Sequence, residues 1–285
     1  MSDTQFIKDN LKGSVPTEIA TEVIKNIVSQ STAFKVCKHV PMSSDKKVLP
    51  MLSDTGSAYW TEEGEEIQTS IHGWEYPELE AKKLAVIIPF TKEKYEDSVM
   101  NVMEEIKQGI SDAFTKSIDS AIFFGTNTPF DTNIVGSVLE GSKIENSGKL
   151  DMDISEAMSK IEANDLVVNG IIAPNSVKAT LRTLRDSNGN ALVVPGGATG
   201  TQIYSTPIHI PTSKVWDDSK ASSIVGDFNR AVIGTRSGIT YEVLDQATVG
   251  GINLAERDLL AIKCTMRFGF KVVDPKAFTL IKPHA

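Results

Sequence analysis

Cysteine is nearly absent from this chain: Cys37 and Cys264 are the two in 285 residues. Their separation excludes a disulfide framework and a zinc-type Cys spacing, so both are read as buried free thiols. Histidine is scarce too. His39, His72, His209 and His284 do not pair at metal-ligand spacing, and His-Glu-x-x-His is missing, so no metal site is expected. Gly-x-Ser-x-Gly is absent, which removes the nucleophile elbow of the α/β hydrolases. Gly196-Gly197-Ala198-Thr199-Gly200-Thr201 has the glycines of a phosphate loop but lacks the Gly-Lys-Ser/Thr ending that brings a lysine to the phosphates. No cofactor is expected and no catalytic constellation emerges.

Long hydrophobic runs are also missing. No stretch approaches the ~18 apolar residues of a membrane span, so no membrane partner is expected. The first 13 residues carry Lys8, Asp9 and Lys12 and lack the apolar core of a signal peptide, so folding in a cytoplasm is expected. Positive charge is in deficit: 29 Lys and Arg stand against 37 Asp and Glu, for a net charge of −8 and a pI near 5.1. That disfavours gripping nucleic acid through its phosphates, which needs clustered cations. An acidic balance is equally common in enzymes. Asp151/Asp153 and Asp217/Asp218 lack the central Gly and terminal Glu of an EF-hand. Asp153 is expected to N-cap a helix, and Asp217/Asp218 to sit in a solvated turn.

What is present begins at residue 46. Lys46–Leu52 leads to Ala58-Tyr59-Trp60, and a return runs from Trp74-Glu75-Tyr76 to Leu84–Phe90. Two arms of about 15 residues would each reach roughly 50 Å if fully extended. Between them Glu62, Glu63, Glu65 and Glu66 place four carboxylates in five residues. An isolated hairpin is marginal in water. Tyr59, Trp60, Trp74 and Tyr76 are a liability if left exposed and natural anchors against a neighbour. These four aromatics and four glutamates are the candidate subunit-interface residues. The alternative is a hairpin folded back on its own domain. Crowding can raise carboxylate pKa values, but on an exposed tip the repulsion is screened, so the glutamates read as a charged patch.

A long amphipathic helix follows, with Asp97-Ser98 as N-cap and Gly125 as stop. Val99, Val102, Met103, Ile106, Ile110, Ala113, Phe114, Ile118, Ala121 and Ile122 form one apolar face along about 28 residues, or ~42 Å. Glu104, Glu105, Lys107, Asp112, Lys116 and Asp119 are read as the solvated face. Elsewhere, Pro16 to Val28 reads as a short helix, Ile154–Ile161 as a helix and Leu166–Ala173 as containing a buried strand. Val177, Leu181 and Leu184 mark a further helix. The stretches 186–190 and 195–200 read as turn-rich loops. From Leu260, Ile262, Cys264, Met266 and Phe268 alternate with polar neighbours, as in a half-buried strand. Its partner is either Phe270–Val273 or Phe278–Ile281.

The ordered set of these features resembles the tailed-phage major capsid protein family, with its HK-ninety-seven-like fold. Ala58-Tyr59-Trp60-Thr61-Glu62-Glu63-Gly64 resembles that family's extended loop, and Lys83–Glu93 the strand leaving it. Tyr95–Ser98 and Asp119–Gly125 resemble the two ends of its spine helix. Gly226-Asp227-Phe228 with Ala231–Gly234 resembles an axial-domain strand, and Arg267–Phe278 its C-terminal signature. The resemblance implies an α+β chain with an N-terminal arm (1–45) and an extended β-hairpin loop (46–90). It implies a peripheral domain (91–150 and 251–285) with a spine helix over 97–124, and an α/β axial domain (151–250).

The implied role is structural: pentamers and hexamers of the chain itself form an icosahedral shell around double-stranded DNA, held without sequence-specific contacts. An acidic wall suits that role. Some members weld subunits through a Lys–Asn isopeptide bond. Here the tip from Ser53 to Tyr76 has no lysine and nothing after Asn253 is an asparagine, so non-covalent contacts are expected. Some relatives also carry a fused scaffolding segment of about a hundred residues. Only about 45 residues precede the loop here, so scaffolding is expected to come from a separate protein or not to be needed; a separate scaffolding protein and a portal are the expected partners. The alternatives are an encapsulin-like compartment enclosing an enzyme cargo, and an α+β enzyme with a titrating site.

Overall fold

The computed structural model describes residues 30–54, 56, 58–66, 69–70, 73–93, 102–183, 202–211 and 215–283. The helix expected before Val28, the N-cap at Asp97-Ser98, Leu184, the loops at 186–190 and 195–200, His72 and His284 lie outside the described residues.

A short helix α1 (Thr32–Val36) leads into strand β1 (Lys38–Pro41). Next come the hairpin strands β2 (Lys46–Val48), β3 (Met51–Asp54), β4 (Gly73–Glu75) and β5 (Glu78–Glu80). Strand β6 (Lys82–Thr91) and the long helix α2 (Val102–Phe124) follow, then a helical turn α3 (Ile134–Ser137), β7 (Lys143–Ile144) and α4 (Leu150–Glu162). After these come β8 (Gly170–Ile172), α5 (Val177–Thr183), β9 (Gln202–Ile203), β10 (Thr206–His209) and β11 (Ser223–Gly226). The last strands are β12 (Ala231–Leu244), a small ribbon of β13 (Thr248–Val249) and β14 (Ile252–Asn253), β15 (Leu259–Val272) and β16 (Phe278–Ile281).

Two sheets carry the body. The first has the order β1-β12-β15-β6, with β15 antiparallel to both neighbours and β1 parallel to β12. Its residues alternate as an antiparallel sheet with one wet face requires. Ile262, Cys264, Met266 and Phe268 of β15 are buried, and Leu84, Val86, Ile88 and Phe90 of β6 pack against the same core. Lys83, Ala85, Ile87 and Pro89 are exposed; Pro89 is tolerated because β6 is an edge strand. Helix α2 closes the core with Ile110, Phe114, Ile118 and Ile122. It ends at Gly125, whose φ of +66° allows its N–H to reach the Ala121 carbonyl at 3.2 Å.

The second sheet has the order β7-β16-β11-β8-β10-β9. Helix α4 covers it, with Leu150, Ile154, Ala157 and Ile161 packed on Ile144, Ile171, Val225 and Ile281. Its central strands are buried along their whole length, which is why they read as continuous apolar runs.

Several expectations need correction. Strand β15 pairs with β6 and β12. Phe270–Val272 is its own continuation, because Gly269 sits in the ladder opposite Gly234 and makes no turn. Phe278–Ile281 pairs instead with β11 and β7. The return arm of the hairpin splits: only residues 73–80 pair with the outgoing arm, while Lys82–Thr91 enters the first sheet. Ala113 is exposed, not part of the apolar face. Asp119 is fully buried, not solvated. Asp153 lies inside the first turn of α4, where it accepts from the Ser147 N–H (3.1 Å) and hydroxyl (2.5 Å); the N-cap is Lys149. Asp217 does hold a turn, accepting from the Ser219 N–H at 3.1 Å.

Candidate assembly surface

The hairpin is bound firmly at one end only. At its foot β2 pairs with β5, Lys47 opposite Leu79, and Lys46 lies 3.7 Å from Glu78. Lys82 bonds Glu80 at 2.8 Å and thereby holds that exposed carboxyl below the usual range. Exposed pairs contribute only about 0–1 kcal/mol each. The main anchor is apolar: Leu79 is fully buried beside Met42 and Val232. It fits because two glycines face it. A Cβ on Gly234 would lie 2.3 Å from Leu79 Cδ2, and one on Gly269 would lie 2.6 Å from the Glu80 carbonyl oxygen. Asp45 completes the foot, pairing with Arg236 and lying 3.7 Å from Arg267.

The far end has no such anchor. Further up, β3 pairs with β4, Leu52 opposite Trp74, with a register shift before Asp54. The chain then turns at Glu62–Glu65, closed by the Glu65 N–H to the Glu62 carbonyl at 3.1 Å, with Gly64 at φ +92°. Tyr59 and Trp60 are 53% and 103% exposed, and Glu62, Glu63, Glu65 and Glu66 are all exposed. The tip therefore packs on nothing else among the described residues, and a hairpin folded back on its own domain is not observed. Trp74 (55% exposed) and Tyr76 (62%) lie lower, on the return arm. The structure thus gathers six of the eight candidate residues at the tip and spreads the other two below it.

A second junction was not anticipated. Ser111, Thr115 and Asp119 recur at four-residue spacing and form a buried polar stripe on α2. Asp119 accepts from the Ser31 hydroxyl (2.6 Å) and from the Thr32 (3.0 Å) and Ala33 (3.1 Å) N–H groups. Those N–H groups open α1 and have no intrahelical acceptor. Ser31 in turn caps α1 by accepting from the Phe34 N–H at 3.2 Å. Burial pushes the Asp119 carboxyl up, against the lowering effect of these bonds. The carboxylate thus ties the segment entering the body to the long helix. The signal was available: a run of small polar residues at helical spacing beside the apolar face.

Among the described residues no three His, Cys, Asp or Glu side chains are grouped to hold a metal, and no helix is long and apolar enough to cross a membrane. Cys37 and Cys264 are buried and unbridged, and burial pushes the Cys264 thiol up to about 12. His39 stacks on Phe34 and lies 2.6 Å from that residue's carbonyl oxygen.

The sequence model described as the phage capsid family matches residues 13–282. The chain is 25% identical to the major capsid protein of Staphylococcus phage 80alpha, over 99% of this chain and 88% of that protein. It is 22% identical to a probable major capsid protein of Mycobacterium phage L5, over 94% and 88% of the two chains. A solved structure from Microbacterium phage Oxtober96 superposes with a TM-score of 0.79 at 26% identity, covering 89% of this chain and 91% of that one.

Proposed function

Because this chain belongs to the phage capsid family, we propose that it assembles through pentamers and hexamers of itself into an icosahedral shell around the double-stranded DNA of a tailed bacteriophage. Its role is structural. The matched relatives are major capsid proteins, not enzymes, and they do not favour an encapsulin-like cargo compartment. The fold is the mixed α+β, HK-ninety-seven-like fold of phage capsid proteins.

The finer reading is ours. Residues 1–45 act as an arm and 46–90 as the extended loop. Residues 91–150 and 251–285 act as a peripheral domain around the spine helix, and 151–250 as an axial domain. Tyr59, Trp60, Trp74 and Tyr76 are the proposed anchors on an adjacent subunit, with Glu62, Glu63, Glu65 and Glu66 giving polar register. A separate scaffolding protein and a portal are the proposed further partners, with assembly in the host cytoplasm. The acidic chain encloses DNA without gripping it.

One observation carries the loop's part in this: a hairpin locked at its foot by Leu79 presents a fully exposed Trp60 at its tip. Such an element gains stability only against another molecule. Repeated many times, modest contacts hold a closed shell. Negative-stain microscopy of the purified chain tests the proposal. Closed shells containing nucleic acid support it; a protein that stays monomeric at all concentrations and with scaffold added overturns it. Boiled, denatured shells should run as single protomers, and a ladder would refute the non-covalent reading.

A further inference from the structure

The wet face of the first sheet gathers its cations at one place. Strand β12 shifts register between Thr235 and Ser237, so Arg236 is an extra residue and stands with Ser237 opposite Arg267. A bulge of this kind re-aims a side chain. Here two guanidinium groups converge on one carboxylate: Arg236 pairs with Asp45, and Arg267 lies 3.7 Å from the same oxygen. On the other side of Arg267, Lys83 stands directly opposite it across the β6–β15 ladder. Both are exposed, on the face away from Leu84 and Phe268, which pack in the core. Like charges placed directly opposite one another are destabilising.

Among the described residues Asp45 is the one carboxylate within ion-pair distance of these three cations. Its neighbours are engaged elsewhere: Glu242 by Lys263 at 2.7 Å, and Glu80 by Lys82 at 2.8 Å. Three cations and one carboxylate leave a local charge of +2, in a chain whose net charge is −8. The hydroxyl of Thr265, two residues from Arg267 along β15, meets that of Thr240 at 2.5 Å on the same face. A guanidinium fork matches the oxygens of an oxyanion, and an ammonium beside it adds charge. We propose that a divalent oxyanion, phosphate or sulfate, binds on this face between Lys83 and Arg267, with Arg236 held alongside by Asp45. The anion turns a repulsion between β6 and β15 into a bridge. It also leaves Asp45 to Arg236, which fastens the foot of the hairpin. The site does not depend on shell formation.

The test is thermal unfolding of the full chain, titrated with sodium sulfate or sodium phosphate while sodium chloride holds the ionic strength constant. Both anions also stabilise folds generally, by exclusion from the surface, but that effect grows without saturating. A bound anion should instead give a saturable rise, about 3 °C at ten times the half-saturating concentration. Sodium acetate at the same ionic strength should give much less. Lys83→Gln and Arg267→Gln should each weaken the saturable response at least about tenfold, as loss of one charge-assisted contact does. Lys263→Gln, whose parent lysine is already paired with Glu242, should leave it unchanged. Without added oxyanion, Lys83→Gln should melt no lower than the parent, because a repulsion has been removed. A rise that never saturates, or one equal in all four proteins, overturns the site. An equal response to acetate overturns the divalent choice, and a lower melt for Lys83→Gln in chloride alone shows that Lys83 already has its partner and refutes the proposal.

Discussion

Two tryptophans in this molecule show two kinds of stability. Trp216 belongs to the body. Its ring meets Phe124 edge to face at 5.1 Å, and its N–H donates to the Ala221 carbonyl at 2.9 Å. Trp60 belongs to the hairpin and is 103% exposed. The body is finished within one chain: a sheet, a helix and a second sheet share a continuous core. The hairpin is finished only at its foot. Substitutions in the body should therefore act on the stability of the single chain, and those at the tip on association.

The largest effect on stability is expected at the centre of the body. Phe123 is fully buried in the main core, and Phe123→Ala should cost about 3–5 kcal/mol through lost burial and the cavity left behind. Chemical denaturation of the unassembled chain measures this, and a loss below about 1 kcal/mol would break the comparison. Next comes the junction at Asp119. Asp119→Ala leaves the Thr32 and Ala33 N–H groups and the Ser31 hydroxyl without their acceptor, a loss of up to about 3 kcal/mol. Proteolysis near Gln30 should quicken in parallel.

The same carboxyl gives a pH signature. Its pKa is raised by burial, so the folded chain keeps this proton at pH values where the unfolded chain has released it. Its contribution to stability therefore grows as pH falls through the folded value and levels off near the unfolded value, about pH 4. Asp119→Asn should flatten that part of a stability profile. An unchanged profile would show that the carboxyl titrates normally.

The foot of the hairpin sharpens the comparison, because it joins the two regions. Gly269→Ala sets a methyl against the Glu80 backbone, which must move, at about 1–3 kcal/mol. Gly234→Ala meets the flexible ends of Leu79 and Met42 and should cost less. Thermal melts of both variants test the order; equal losses would mean that the backbone contact is not the constraint.

Much of this was legible in the sequence because period and punctuation are local. The alternation in β15, the apolar face of α2, the Gly125 stop and the exposed acidic tip all follow from residues near one another. What escaped depends on residues far apart. The partners of the strand after Leu260 are β12 and β6, because ladder order is set by the whole sheet, not by neighbours in sequence. The charge of Asp119 points to the wet face, yet the residue is buried. Its burial depends on Ser31, 88 residues away, supplying a hydroxyl and an adjoining helix start. Gly234 and Gly269 carried no signal alone; only their pairing, with Leu79 above them, gives them a role.

The smallest expected effect on the single chain is the most telling. Trp60→Ala removes a side chain that touches nothing in its own body, so unfolding free energy should change by no more than about 0.5 kcal/mol. Shell formation should nevertheless fail or slow sharply, because an aromatic anchor of this kind can carry 2 kcal/mol or more (roughly) at each contact, multiplied over every copy. Trp216→Phe supplies the counterpart: it leaves Ala221 without its donor and should lower chain stability, yet chains that fold should still assemble. Measured side by side, by denaturation and by particle yield, the two variants should show opposite patterns. A Trp60→Ala chain that assembles as well as the parent would mean the exposed tip is not an association element, and the distinction between body and hairpin would then be one of geometry only.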